Sequence, residues 1–268
     1  MATVPTEQEM RILIPEKLRE IEQEEQITIL HAVESGSRAW GFASPDSDYD
    51  VRFVYMRKPD FYLRLEKTRD VIECPIDDTW DVSGWDLKKA LQLAHASNPS
   101  LIEWMMSPIV YATTPEWQDT VAPAVLAHFQ PGKNVFHYLS MAQTNAGSVL
   151  GQSSVKVKRL LYTLRPMLAA MWVMERRTPP PVRFAELTDA YLKPELRPCV
   201  DELLLIKRTL PEVGVIPAVP ELDAFISETL PALHAAARQL PKEEPGDWAP
   251  LNTLFAGMLR RFECPKGD

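Results

Sequence analysis

One stretch, residues 34–55, constrains the fold more than any other part of this chain. It follows an apolar segment at residues 27–33, whose β-branched and aliphatic side chains predict a central strand covered on both faces. It opens with Gly36-Ser37 and closes with Asp48-Tyr49-Asp50, directly before a second apolar segment at residues 51–56. The pattern predicts a strand, a tight turn with a short helix or loop, and a second strand.

Asp48 and Asp50 are two positions apart in an extended segment, so their side chains are expected on the same face. The two carboxylates repel each other unless a cation lies between them, and Mg²⁺ prefers a few carboxylate oxygens together with substrate phosphates. The Gly36-Ser37 turn offers backbone N–H groups and a hydroxyl to a phosphate. This combination is typical of phosphoryl or nucleotidyl transfer. The alternative is a plain hairpin loop, since Ser, Pro and Asp also form turns.

Composition excludes several classes of protein. A chain of 268 residues that is 46% hydrophobic and 25% charged is an ordinary soluble globular protein rather than a disordered one. A net charge of −8 argues against a general polyanion binder, although it leaves room for a local basic groove. No apolar run approaches the roughly 18 residues that span a bilayer, and the N-terminus lacks a signal-peptide pattern. We therefore expect a cytoplasmic protein without a membrane partner. Cys74, Cys199 and Cys264 are widely spaced, which predicts reduced thiols rather than disulfides or a zinc site.

Residues 70–75 and 79–84 predict a hairpin with Asp77-Asp78 in its turn. Asp81 stands in the second of these strands as a lone acid between two apolar residues. Asp86 stands at the start of a predicted helix, where capping is the simplest explanation of an acid.

Helical patterns dominate the rest of the chain. A helix is predicted at residues 15–26, and beyond Pro115 the strand signal disappears and helices follow one another. The change near residue 110 predicts a core at residues 1–112 and a helical substrate- or nucleotide-binding domain at residues 113–268. His31 lies within the first apolar segment, where a buried, hydrogen-bonded histidine is expected rather than a ligand.

One predicted helix in the second half of the chain carries basic residues on one face. Lys158, Tyr162 and Arg165 are spaced at i, i+4 and i+7, so they share that face. Lysine and arginine at this spacing can hold a triphosphate, and the tyrosine can stack on a base. The alternative is a solvated basic face on an acidic protein.

The ordered set of apolar strand, G-S, a spacer of small and turn-forming residues, S-D-x-D and a second apolar strand resembles the signature of the DNA polymerase beta-like nucleotidyltransferase superfamily. Within it, the chain is similar to the RNA repair pathway DNA polymerase beta family of predicted nucleotidyltransferases. The matching segments, which together span about residues 30–175, are E-S-G-S-R-A-W-G-F-A-S-P-D-S-D-Y-D-V-R-F-V-Y, D-V-S-G-W-D-L-K-K-A-L, S-N-P-S-L-I-E-W-M-M-S-P and K-V-K-R-L-L-Y-T-L-R-P-M-L-A-A-M-W.

The resemblance implies an α+β fold, with a mixed β-sheet core and flanking helices followed by an all-helical C-terminal domain. It also implies transfer of a nucleoside monophosphate from an NTP, with ATP favoured, at a two-metal Mg²⁺ site that Mn²⁺ can also occupy. Gly36-Ser37 would hold the β- and γ-phosphates, and Asp48 and Asp50 would bind both metals. Asp81, in preference to Asp86, would complete the site and help deprotonate the attacking hydroxyl.

Three interpretations of the function stay open at this point. RNA is the favoured acceptor, because the family name suggests an RNA-linked role. A protein or small-molecule acceptor is the second, since modifying enzymes share the same short motif. A non-catalytic nucleotide-binding protein is the third, and the presence of all three aspartates disfavours it.

Overall fold

The computed structural model describes residues 7–75, 79–209, 214–244 and 246–263. The predicted turn at Asp77-Asp78 and the third cysteine, Cys264, lie outside these residues. The strands are β1 (Ile27–Glu34), β2 (Tyr49–Arg57), β3 (Val71–Glu73), β4 (Trp80–Asp86), β5 (Val110–Thr113), β6 (Ser154–Lys156) and β7 (Val215–Pro217). The α-helices are α1 (Glu7–Glu25), α2 (Gly36–Trp40), α3 (Pro59–Tyr62), α4 (Leu87–His95), α5 (Pro99–Met105), α6 (Ala122–Ala127), α7 (Pro131–Ala146), α8 (Val157–Arg176), α9 (Phe184–Tyr191), α10 (Arg197–Thr209), α11 (Pro220–Ala237) and α12 (Ala249–Glu263). Single turns of π-helix and 3₁₀-helix are Trp117–Val121 and Pro194–Leu196.

These elements form two compact units. The first contains Met1–Ser35, Asp48–His128 and Pro245–Asp268, and the second contains Gly36–Ser47 and Phe129–Glu244. This division differs from the predicted one at residue 112. The sheet continues through β5 to Thr113, and α12 packs on α3 and α4 of the first unit. The segment Gly36–Ser47 joins the second unit because Phe42 is buried in its core.

The first unit is built on a five-stranded mixed sheet in the order β3-β4-β2-β1-β5. The β2–β4 pair is parallel and the other three pairs are antiparallel. The antiparallel β3–β4 pair confirms the predicted hairpin. A mixed sheet with flanking helices and a second, mainly helical part confirms the predicted α+β class.

Helix α1 covers one face of this sheet. It begins at Glu7, earlier than predicted, because Met10 and Ile14 extend the buried stripe of Leu18 and Ile21 by two more turns. This stripe packs with alternate residues of β2, among them Val51 and Phe53. Residues between them in β2 consequently point to the opposite face.

His31 occupies the position expected of a structural histidine. It is buried in β1, its Nδ1 is 3.2 Å from Thr113 Oγ1, and its ring stacks on Trp117 at 4.7 Å. Burial lowers the pKa of His31 to about 4, so the ring is neutral at physiological pH.

The second unit is an assembly of helices around α7 and α8, with one small two-stranded sheet. That sheet pairs Val155 with Ile216 and is a feature that the sequence did not predict. Three-residue strands carry too little periodicity to be recognised. None of the helices within the described residues is long and apolar enough to cross a membrane.

Candidate active site

The parallel β2–β4 pair brings two of the predicted aspartates together. Asp50 is the Cα partner of Asp81 in this pair. Their side chains are 29% and 34% exposed, respectively, so each carboxylate remains accessible to a ligand. Asp50 alternates with the residues of β2 that pack on α1, and therefore lies on the sheet face opposite that helix.

Gly84 contributes to this register. It is the partner of Phe53 in the same strand pair, and a Cβ atom built on Gly84 would lie 2.1 Å from the Phe53 ring. The ring therefore occupies the space that a side chain at residue 84 would need. A shift of one residue would put a side chain beneath this ring and would separate Asp50 from Asp81.

Arg52 joins the two carboxylates. Its Nη2 atom donates to Asp50 Oδ1 at 2.9 Å and to Asp81 Oδ2 at 2.6 Å. Its Nη1 atom also donates to the main-chain oxygen of Asp81 at 2.6 Å. The Arg52 side chain thus lies with the carboxylates and does not extend into solvent. The guanidinium therefore occupies the position at which both carboxylates attract a cation.

Glu34 is a buried acid that sequence reasoning missed. It is 1% exposed at the end of β1, and its carboxylate accepts hydrogen bonds from the Asp50 N–H at 3.0 Å and the Tyr111 hydroxyl at 2.5 Å. Ser107 Oγ donates to its main-chain oxygen. Glu34 therefore holds the backbone of β2 at Asp50. The only available signal was an acid at the end of an otherwise apolar strand.

Asp48 immediately precedes β2 and is exposed. Within the described parts of the chain, no group of three or more His, Cys, Asp or Glu side chains is arranged to hold a metal ion. The structure thus brings Asp50 and Asp81 together without adding Asp48 to such a group. Two carboxylates together with substrate phosphates are nevertheless the donor set that Mg²⁺ commonly uses.

Asp86, the competing candidate for the third acid, has a structural role. It is buried, and its side chain accepts hydrogen bonds from the Lys88 N–H at the start of α4 and from the Tyr62 hydroxyl. Burial raises the pKa of Asp86. The capping role predicted from the sequence is confirmed.

Gly36 and Ser37 begin α2 in the second unit. Gly36 has a φ of +59°, a left-handed conformation that favours glycine, and this allows the chain to turn directly after β1. Ser37 is buried, and its main-chain oxygen accepts a hydrogen bond from the Phe42 N–H. The predicted turn is therefore present.

A buried lysine supports the loop that follows α2. Lys207, on α10, donates to Ser44 Oγ at 2.8 Å, and Ser44 Oγ is hydrogen-bonded to Ser47 Oγ. Arg38 Nη2 donates to the main-chain oxygen of Ser47 at 2.6 Å. Sequence reasoning missed Lys207 because it lies in an ordinary amphipathic helix far along the chain.

The basic face of α8 lies against aromatic side chains in the second unit. Arg165 is only 2% exposed, and its guanidinium lies 4.2 Å from the centre of the Trp40 ring. Lys158 Nζ lies 5.5 Å from the centre of the Tyr162 ring, which contacts Trp40 edge-on. Lys158 and Tyr162 are half-buried, whereas Arg165 is enclosed. Their predicted contact with nucleotide stays a prediction.

Comparison with known proteins identifies the family. The model of the RNA repair pathway DNA polymerase beta family matches residues 10–257. The chain belongs to this family. A relative, the uncharacterized protein YcgL of Bacillus subtilis (strain 168), is 40% identical over 247 residues, which cover 92% of this chain and 95% of YcgL. A nucleotidyltransferase-like protein from Exiguobacterium sibiricum 255-15 aligns with 92% of this chain and 80% of its own, at 12% identity and a TM-score of 0.31.

Proposed function

We propose that this member of the RNA repair pathway DNA polymerase beta family is a Mg²⁺-dependent nucleotidyltransferase. It transfers a nucleoside monophosphate from an NTP, with ATP favoured, to an acceptor hydroxyl, with RNA the favoured acceptor. The observation that carries the proposal is the pairing of Asp50 with Asp81 across β2 and β4, on accessible carboxylates. Membership of a polymerase beta-like family supports the same chemistry.

In the proposed reaction, the acceptor hydroxyl oxygen forms a bond to the α-phosphorus of the NTP. The bond from that phosphorus to the oxygen bridging it to the β-phosphate breaks, and pyrophosphate leaves with the bonding electrons. The hydroxyl proton passes to a carboxylate, for which Asp81 is our candidate. Gly36-Ser37 would hold the β- and γ-phosphates, and Lys158, Tyr162 and Arg165 are further candidates for nucleotide contact.

Asp50 and Asp81 fit a divalent ion, with Asp48 as a further candidate ligand. Both paired carboxylates offer hard oxygen donors and already attract a cation, the Arg52 guanidinium. A bound Mg²⁺ would neutralise charge on the NTP phosphates. An ion that took Asp50 Oδ1 or Asp81 Oδ2 would displace the Arg52 guanidinium from that oxygen.

A second candidate is a protein that binds nucleotide without transferring it. The Arg52 guanidinium favours this candidate, because it already partly neutralises the two paired carboxylates without a metal ion. The two paired acids favour the enzyme, because a binding protein does not need a matched carboxylate pair in adjacent strands.

The test uses the full-length protein with Mg²⁺ and each α-labelled NTP in turn, offered RNA, a protein extract and a pool of small metabolites. Asp50→Asn is the matched control, because it removes a charge while keeping the side-chain shape. Label on RNA that is lost in the control supports the proposal and names the NTP. Label on a protein or metabolite changes the acceptor, and no label with any acceptor favours the binding protein.

A further inference from the structure

A basic cleft lies in the first unit, away from the paired carboxylates. It has a volume of about 280 Å³ and is formed by the segment that follows α3 together with the first turns of α4. Five of its lining residues are basic: Arg64, Lys67, Arg69, Lys88 and Lys89. On a chain with a net charge of −8, this is a local concentration of positive charge.

The acids that line the cleft are largely neutralised. Asp86 is 3% exposed and accepts hydrogen bonds from the Tyr62 hydroxyl and the main chain of α4. Asp70 pairs with Lys89 at 3.2 Å. Glu66 lies 3.8 Å from one of the arginines. The cleft therefore presents a surplus of positive charge to solvent.

Two lysines supply most of that surplus. Lys67 and Lys88 are exposed, and neither side chain forms a hydrogen bond or ion pair with any residue that the structure describes. One comes from the segment after α3 and the other from α4, so they line one concave surface from two separate parts of the chain. A multivalent anion can contact both, whereas an isolated surface lysine would hold a phosphate only weakly.

We propose that this cleft binds the phosphodiester backbone of single-stranded RNA. Lys67 and Lys88 would contact phosphates, and Arg64 would offer a flat guanidinium on which a base can stack. The Arg64 guanidinium lies 4.9 Å from the centre of the Phe61 ring, which holds it at the edge of the cleft. The choice of RNA rests on the proposed function.

The cleft and the paired carboxylates lie on different faces of the sheet. Asp86, at the cleft, is five residues after Asp81 in β4, and side chains alternate along a strand, so the two acids point to opposite faces. Asp86 is the partner of Tyr55, which packs in the same cluster as α1, whereas Asp81 is the partner of Asp50. A strand rises about 3.3 Å per residue, so the two residues are also roughly 16 Å apart along β4. An RNA strand that occupied both sites would therefore have to pass around the sheet.

Binding of a fluorescein-labelled single-stranded RNA to the full-length protein, without NTP, tests this inference. Fluorescence anisotropy is measured over a series of KCl concentrations. For the double variant Lys67→Gln/Lys88→Gln, we expect the dissociation constant to rise roughly tenfold. The salt dependence should become shallower by about 1.4 in logarithmic slope, which corresponds to about 0.7 for each lost phosphate contact.

A double variant of exposed lysines outside the cleft, Lys133→Gln/Lys242→Gln, is the matched control for lost positive charge. It should bind RNA as the unmodified protein does. Equal weakening in both double variants, or no RNA binding by the unmodified protein, would overturn the inference. So would displacement of the RNA by free ATP, together with weakened ATP binding in the cleft variant, because the ligand would then be a nucleotide.

The transfer experiment is independent of this one. Asp50→Asn should retain the RNA binding that depends on Lys67 and Lys88, even though it is expected to lose transfer. A protein that binds RNA through the cleft but labels no acceptor would refute the proposed function and leave the cleft assignment intact.

Discussion

Asp50 and Asp81 are Cα partners across the parallel pair β2–β4, although a loop, a short helix and a further strand separate them in the chain. One oxygen of each carboxylate accepts a hydrogen bond from the same nitrogen of Arg52, at 2.9 Å for Asp50 and 2.6 Å for Asp81. The candidate site is therefore a pair of acids that already share one cation.

Asp81 and Asp86 lie in the same strand, but we expect substitution of Asp81 to lower transfer activity and substitution of Asp86 to lower stability. We expect Asp81→Asn to lower transfer at least about a hundredfold, with a change in unfolding free energy below about 1 kcal/mol, because a partly exposed ion pair contributes little. Asp86→Ala should instead cost about 1–2 kcal/mol of stability through its lost helix cap. Label transfer measures the activity and urea unfolding measures the stability. If Asp86→Ala abolished transfer and Asp81→Asn mainly lowered stability, Asp86 would be the site residue and Asp81 the structural one.

Removal of Arg52 should strengthen metal binding. In Arg52→Gln, a divalent ion no longer competes with a guanidinium for the two carboxylates, so we expect the dissociation constant for Mn²⁺ to fall about tenfold, or about 1.4 kcal/mol. Isothermal titration calorimetry without NTP measures this affinity. Arg57→Gln is the control, since Arg57 pairs with Glu25 instead. An unchanged or weaker Mn²⁺ affinity in Arg52→Gln alone would contradict the competition.

A side chain at residue 84 should disrupt the strand pair that aligns the acids. Gly84→Val forces Cβ into the Phe53 ring, and we expect a loss of about 1–3 kcal/mol in unfolding free energy. Gly257→Ala is a matched control in α12, because no atom lies within 4 Å of its Cβ position. In the double variant Gly84→Val/Phe53→Ala, we expect the loss to be smaller than the sum of the two single losses, because the obstructing ring is gone. Additive losses in that variant would show that Phe53 is not the obstacle.

His31 should make stability sensitive to mild acid. Its pKa is lowered to about 4 in the folded state, so the unfolded chain binds the proton first as pH falls below about 6.5. The free energy of unfolding therefore has its full value, as far as His31 is concerned, above pH about 6.5. It decreases as pH falls from there toward 4. Between pH 6.5 and 5, we expect this group to account for about 2 kcal/mol.

The comparison is His31→Phe, which keeps an aromatic ring beside Trp117 but does not titrate. Guanidinium unfolding of both proteins at pH 7 and pH 5 gives the two losses. An equal loss in the variant would assign the acid sensitivity to other groups.

Much of the first unit could be predicted because its signals are local. The apolar segments around residues 34–55 predicted β1 and β2, the hairpin β3–β4 followed from its alternation, and the cap at Asp86 followed from its position before a helix. The short strands β6 and β7 and the early start of α1 were missed, since one or two turns of weak pattern do not identify an element.

The residues of the candidate site also fall into two groups, those that local sequence signals predicted and those that they did not. Asp50 and Asp81 could be proposed as site residues from their sequence context, whereas Glu34 and Lys207 could not. Both missed residues are buried polar groups that act through contacts with distant parts of the chain. Such contacts leave no mark on the periodicity of the segment in which the residue lies.

The sequence by itself determined the family, the α+β class and which residues face a core, because motifs and apolar periodicity are properties of short segments. Only the tertiary structure decided that β4 joins β2 in parallel, that Asp50 meets Asp81 there, and that Arg52 lies between them. These choices depend on side-chain volume and charge across strands, as the Phe53 ring over Gly84 shows. Partners of this kind are selected only when distant segments pack together.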